Sequence, residues 1–179
     1  MRRRARPAAL AVDRAALQDR QRPQKVRYRD DPGAALITLS ASGSLGEGVS
    51  CSVNTGRAIA EAGLHPATGG DGTQLCSGDM LLEALAACAG VTLRSVATSL
   101  EIPITQGTVT AEGDLDFRGT LAVDREAPVG FAAIRLHFVL QTSAGDDELD
   151  TLIRLTERYC VVLQTITSAP QVSVSRARA

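Results

Sequence analysis

The chain has 179 residues, 44% of them hydrophobic, which is the size and apolar content of one domain with a real core. Only 3% are aromatic and there is no Trp, so the core must be built from Ala, Val, Leu and Ile; this argues against stacking platforms for single-stranded nucleic acid or sugars. A net charge of −1 conceals a split: residues 1–29 carry 10 Lys and Arg against Asp13 and Asp19, leaving 9 basic and 18 acidic side chains in the other 150 residues.

From the N-terminus, Met1 to Arg6 is Arg-rich, and the apolar run Pro7 to Val12 is too short for a signal-peptide core and ends at Asp13. The Arg-rich start also fits a mitochondrial presequence on pattern alone, but the expected location is cytoplasmic. Ala11 to Arg22 has helical spacing, with Val12, Ala15, Ala16 and Leu17 on one side, and Pro23 interrupts it. Residues 1–34 thus read as a basic helical arm, and 35–179 as the globular body. The arm is expected to dock on its own body or on a neighbouring subunit, its Arg residues meeting the acidic excess, rather than on nucleic acid.

Ala35 to Ala41 and Gly48 to Asn54 have strand composition, and the glycine-bearing Ser42 to Gly48 lies between them, so a β-hairpin is expected. Thr55 to Gly63 reads as a short helix and His65 to Gln74 as a loop. Ser77 then precedes a long helix with Asp79 in its first turn, where an acid favours the helix dipole. Residues 80–100 are the longest apolar stretch, but Glu83 and Arg94 interrupt it, which predicts a buried central helix and no membrane span. After Pro103, Gly107 to Phe117 and Ala133 to Thr142 alternate apolar and polar residues as half-buried strands. His137 falls on the outer face of the second. A second helix opens at Gly145 with acids in its first turn and presents Leu149, Leu152, Ile153, Leu155, Tyr159 and Val162; a last strand is expected at Gln171 to Ser175. Strands adjacent in sequence and separated by two helices predict an α+β fold, an antiparallel sheet packed around a long central helix.

The cysteines at 51, 76, 88 and 160 form no C-x-x-C, and His65 and His137 are too few for a metal cluster, so neither metal nor cofactor is expected. Free or redox-active thiols remain. Cys88 lies inside the apolar helix and Cys160 near the C-terminal part of the second. Two packed helices can bring such sulfurs within disulfide reach, for which Cα atoms must lie roughly 4.4 to 6.8 Å apart. A buried cysteine is more often a small inert hydrophobe, so spacing alone leaves the pair merely possible. Cys51 and Cys76 read as structural, although Cys76, at the mouth of the long helix, is placed where a thiol can be reactive.

The flanking residues say more. Gly70-Asp-Gly-Thr-Gln-Leu-Cys-Ser-Gly-Asp-Met-Leu-Leu-Glu-Ala-Leu-Ala-Ala-Cys88-Ala-Gly-Val-Thr-Leu resembles the OsmC/Ohr pattern, in which a Gly-rich loop and an acidic helix start lead to Leu-x-x-Ala-x-x-Ala-Cys. Leu155-Thr-Glu-Arg-Tyr-Cys160-Val-Val-Leu-Gln-Thr-Ile166 resembles the family's second cysteine segment. The resemblance covers about Ala35 to Ser175. It implies an OsmC-like fold, an intertwined homodimer with two sites near the interface, and reduction of organic hydroperoxides or hydrogen peroxide in oxidative-stress defence. Cys88 would be the peroxidatic thiol, Cys160 the resolving one, and a dihydrolipoyl- or thioredoxin-type dithiol the reductant.

Of three further positions in that pattern, the sequence departs at two. The family's arginine belongs to the first hairpin loop, yet Ser42 to Gly48 contains none, and Arg57 is the nearest substitute. The family's acid corresponds to Asp79, which serves equally well as a first-turn helix acid. Val161 replaces the proline that commonly follows the second cysteine. Thr92 and Gln164, each four residues beyond a cysteine, are expected to donate hydrogen bonds to the sulfurs or to a peroxide. Two competing readings stay open: a binding protein on the same fold that holds a small apolar ligand at the dimer interface, and a scaffold whose basic arm contacts nucleic acid.

Overall fold

The computed structural model describes residues 13–31, 43–45, 51–54 and 59–178. Its axis is α2, Ser77–Leu100, which presents Leu85, Ala89, Leu93 and Ala97 at four-residue intervals and buries all four. Asp79 occupies its first turn. The helix ends where Glu101 adopts a left-handed φ of 61° and its N–H reaches the carbonyls of Ala97 and Thr98. Ile102 then tucks back into the core and Pro103 prevents continuation. By length and composition α2 could cross a membrane, yet here it is the helix around which the chain packs.

Two strands cover one side of it. β5, Ile104–Leu115, and β6, Phe131–Thr142, run antiparallel with Val109 opposite Phe138, Ala111 opposite Leu136 and Gly113 opposite Ile134. Their alternating pattern turns Val109, Ala111, Ile134, Leu136 and Phe138 toward α2, while His137 and Val139 face outward. Between them lies the short α3, Phe117–Thr120, capped by the Asp116 carboxylate, which accepts from the Arg118 N–H at 3.0 Å.

On another side of α2 lies α4, Asp146–Tyr159, whose first turn holds Asp146, Asp147 and Glu148; Glu148 also accepts from the Gly145 N–H at 3.1 Å. Leu152 and Thr156 are its fully buried residues, and the Thr156 hydroxyl donates to the Leu152 carbonyl at 2.8 Å. The core has two centres. One joins Leu93, Ala97, Ile102 and Leu152, the other Leu85, Ala89 and Cys160. Each fully buried Leu contributes about 1.5 to 3 kcal/mol relative to exposure.

A second, smaller sheet has the order β1, Gly43–Leu45; β2, Cys51–Asn54; β3, Ile59–Gly63; and β4, Leu75–Cys76. The first two pairings are antiparallel, but β3 and β4 run parallel, so this sheet is mixed. Gly43 to Leu45, expected in the hairpin turn, is a strand paired with Cys51 to Val53, while residues 35–41 lie outside the described set. The helix expected over Thr55 to Gly63 is instead β3 from Ile59 onward. Pairing with β2 on one edge and β4 on the other overrides the helical preference of its alanines.

At the N-terminus α1 spans Arg14–Asp30, and the Asp13 carboxylate caps it, accepting from the Ala16 N–H at 2.8 Å. Pro23 does not end this helix. It lies inside it, at the loss of one backbone donor. Arg14 meets Glu101 at the end of α2 at 2.7 Å, an exposed pair. The last strand expected at Gln171 to Ser175 does not form: residues 169–178 have no regular structure, with Val172 79% and Val174 95% exposed. Without a neighbouring strand among the described residues, alternation alone does not produce one.

Candidate active site

The second helix was expected to continue through Cys160 and Val162. It stops instead. α4 ends at Tyr159, Cys160 takes an extended conformation (φ −74°, ψ 105°), and a separate α5 runs from Val161–Thr167. Cys160 is therefore the last cap of one helix and the first of the next: its N–H donates to Thr156 and its carbonyl accepts from Gln164, both at 2.9 Å. The break occurs without the family's proline, and the β-branched pair Val161–Val162 is the one faint sequence signal for it.

This break aims the start of α5 at two sulfurs. Cys160 is fully buried against Leu85 and Ala89, and Cys88, half-buried on α2, packs against the same cluster. The two thiols lie in one apolar cluster, close enough for each to shift the ionisation of the other. The backbone N–H groups of Val161 and Val162 favour the charged form of Cys88 and those of Val162 and Leu163 that of Cys160, although the Cys160 side chain makes no capping hydrogen bond. The Thr92 hydroxyl, one turn beyond Cys88 on α2, also favours the Cys88 thiolate.

The consequence is electrostatic. Burial pushes the Cys88 thiol up, but the Val162 amide, the Cys160 thiol, the Val161 amide and the Thr92 hydroxyl together more than offset it, so Cys88 titrates below the ordinary thiol range. Burial holds Cys160 above that range, and the negative charge that develops on Cys88 opposes a second ionisation beside it. Of the two sulfurs, Cys88 is the one that ionises more readily.

Other expected members of the site fall elsewhere. Gln164 is exposed and turns back to the Glu157 carbonyl, donating from Nε2 at 2.9 Å, because the break at Cys160 rotates α5 relative to α4. Asp79 is exposed in the first turn of α2, nine residues and roughly 13 Å along the helix axis from Cys88; within this chain the two are not brought together. Arg57 lies outside the described residues. Cys76 caps the start of α2 and borders a separate cavity of about 350 Å³ with His65, Leu115 and Phe131, where the His65 ring stacks on Phe117 at 5.0 Å. What sequence reasoning missed is the trio of amides opening α5.

A family model described as OsmC-like protein matches residues 70–175, which contain both Cys88 and Cys160. Among solved structures, an OsmC-like protein from Mycoplasma pneumoniae superposes with a TM-score of 0.63 at 17% identity, over 74% of this chain and 89% of that one. An organic hydroperoxide resistance protein from Legionella pneumophila gives 0.59 at 21%, over 75% and 92%. One from Elizabethkingia anophelis gives 0.59 at 18%, over 75% and 91%. Comparison with curated proteins by sequence finds no significant match. At these identities the structural likeness speaks for the fold, and the family match spans more than half of the sequence: the chain belongs to the OsmC-like protein family.

Proposed function

We propose that this protein is a thiol-dependent peroxidase that reduces organic hydroperoxides or hydrogen peroxide through Cys88 and Cys160, in cytoplasmic defence against oxidative stress. The observation that carries this reading is the pair of free thiols packed in one cluster, Cys160 fully buried and Cys88 half-buried, with the Cys88 pKa lowered and the Cys160 pKa raised. Two structurally similar proteins named for organic hydroperoxide resistance support it.

The thiolate of Cys88 attacks the distal oxygen of ROOH; the O–O bond breaks, ROH leaves after taking a proton from water, and Cys88 becomes a sulfenic acid. The Cys160 sulfur then attacks that sulfenic sulfur and its proton leaves with the hydroxyl as water, giving a Cys88–Cys160 disulfide. A cellular dithiol returns both thiols and is itself oxidised. Burial of Cys160 keeps the resolving step intramolecular and shields the sulfenic acid from further oxidation.

The active form we propose is a homodimer, supported by apolar side chains left open on the sheet and tail: Val139, 57% exposed, Val172 and Val174. Sedimentation at micromolar concentration tests it, with a monomer as the contrary result. For the chemistry, one equivalent of hydroperoxide should remove two hydrogens from the reduced protein, mapped by mass spectrometry to the Cys88 and Cys160 peptides. An unchanged mass, with no peroxide consumed in the presence of dithiol, favours instead a ligand-binding protein with residual cysteines.

A further inference from the structure

The cavity at the start of α2 is set apart from the thiol pair, about three helical turns from Cys88. Its volume of about 350 Å³ falls within the roughly 300 to 1,000 Å³ of small-molecule sites. Leu64, Leu115, Phe117, Val129 and Phe131 make its walls apolar, and Val129 is 65% exposed, an apolar side chain left in water. No Asp, Glu, Lys or Arg is among the described residues that line it, so an ion entering this space would find no counter-charge.

Two features shape it for a ligand. The first is Gly78 in the opening turn of α2, a helical position where alanine would favour the helix more. A Cβ there would lie 3.5 Å from the Cys76 sulfur and from Phe131, and 3.6 Å from Leu115, so the missing side chain leaves the floor of the cavity open between them. The second is His65. Its carbonyl accepts from the Thr68 hydroxyl at 2.9 Å, its Nδ1 accepts from the Ala67 N–H at 3.0 Å, and its ring is stacked on Phe117. With Nδ1 as the acceptor, the neutral imidazole carries its proton on Nε2, and no hydrogen bond among the described residues engages that donor. The cavity thus offers apolar walls, one N–H donor and the half-buried Cys76 thiol.

We infer that this cavity binds a small, planar, uncharged α,β-unsaturated carbonyl compound and captures it on Cys76. The conjugated plane lies against the apolar walls, the carbonyl oxygen accepts from His65 Nε2–H, and the Cys76 sulfur adds to the β-carbon. A sulfur–carbon bond forms, the carbon–carbon π bond is consumed, and the thiol proton ends on the α-carbon with the carbonyl restored; neither oxidant nor reductant takes part. The rate gain comes from holding the electrophile beside the sulfur. Cys88 and Cys160 have no part in this step, so it stands or falls separately from the peroxidase reading.

The test uses the full-length reduced protein carrying Cys88→Ser and Cys160→Ser, with cinnamaldehyde as probe and iodoacetamide as reference thiol reagent. Mass spectrometry should find one intact cinnamaldehyde on the Cys76 peptide, formed at a rate that saturates with probe concentration, whereas the iodoacetamide rate rises linearly. Hydrocinnamaldehyde, which lacks the double bond, should occupy the same space and slow the capture competitively without any substitution at the site. His65→Phe keeps a ring to stack on Phe117 and removes the N–H; it should slow capture of cinnamaldehyde about five- to tenfold and leave the iodoacetamide rate unchanged. Gly78→Leu fills the floor and should abolish the saturation. A rate linear in cinnamaldehyde, no protection by hydrocinnamaldehyde, indifference to His65→Phe, or capture that stops as the protein self-associates, meaning that a second copy fills the cavity, would each overturn the inference.

Discussion

Cys76 and Cys88 stand on the same helix, about three turns apart, and differ in what the rest of the chain brings to them. Cys76 caps the helix start, where the aligned peptide dipoles are most favourable to a thiolate, yet its neighbours are His65 and aromatic rings. Cys88 sits mid-helix, where its own helix offers no free N–H, and receives a second sulfur, a hydroxyl and amides of another helix. A thiol is activated by donors that tertiary structure aims at it, and position on its own helix is a poor guide.

The sharpest way to break that contrast is to remove each sulfur in turn. Cys88→Ser should lower peroxide consumption on the order of a thousandfold or more, whereas Cys76→Ser should leave it near wild type. Cys160→Ser should consume one equivalent and stop, with a sulfenic acid on Cys88 open to a trapping reagent. Equal losses in the Cys76 and Cys88 variants would dissolve the distinction.

A second test attacks the packing that holds the two sulfurs together. Leu85→Ala removes a fully buried side chain beside Cys160 and should destabilise the protein by about 2 to 5 kcal/mol in urea unfolding, while exposing Cys160 to alkylation. Cys76, outside this cluster, should alkylate at an unchanged rate.

Weaker, and more specific, is the donor on Cys88's own helix. A depressed folded pKa means that Cys88 remains thiolate to lower pH than an ordinary thiol, so its alkylation rate should fall only at correspondingly lower pH. Thr92→Val removes one donor, moves that fall back toward higher pH, and should slow alkylation at neutral pH about three- to tenfold. For Cys160 the sign reverses, and the reaction should need higher pH than an ordinary thiol. The smallest effect is expected at the far end of α2. Glu101→Gly relieves a left-handed residue and loses an exposed ion pair, for a net change within about 1 kcal/mol and no change at either cysteine.

How much of this was legible depended on whether the signal was local. The apolar run from Met80 to Leu100 announced α2, and alternation announced β5 and β6, because each reports burial on one face of a single element. Cys88 and Cys160 were found through their flanking motifs, which also carried Thr92. Three features depended on partners distant in sequence. Ile59 to Gly63 is rich in alanine and becomes a strand only through its neighbours, β2 and β4. Val172 and Val174 alternate like a strand and have no strand partner among the described residues. The turn of the chain at Cys160 carries neither Gly nor Pro, so Gln164 was placed on the face of a helix that had already ended. Pro23 misled in the opposite sense, because a helix can tolerate one lost backbone donor on its surface.

The amides that open α5 have one more consequence. The N–H groups of Val161, Val162 and Leu163 favour the charged form of the paired sulfurs, and that charge is lost when the protein is oxidised to a neutral disulfide. Their proton resonances should therefore move upfield, and their exchange with deuterium should quicken, in step with the redox state of the pair. Three backbone positions thus form an intrinsic spectroscopic gauge, readable in the unlabelled thiol state without touching either cysteine.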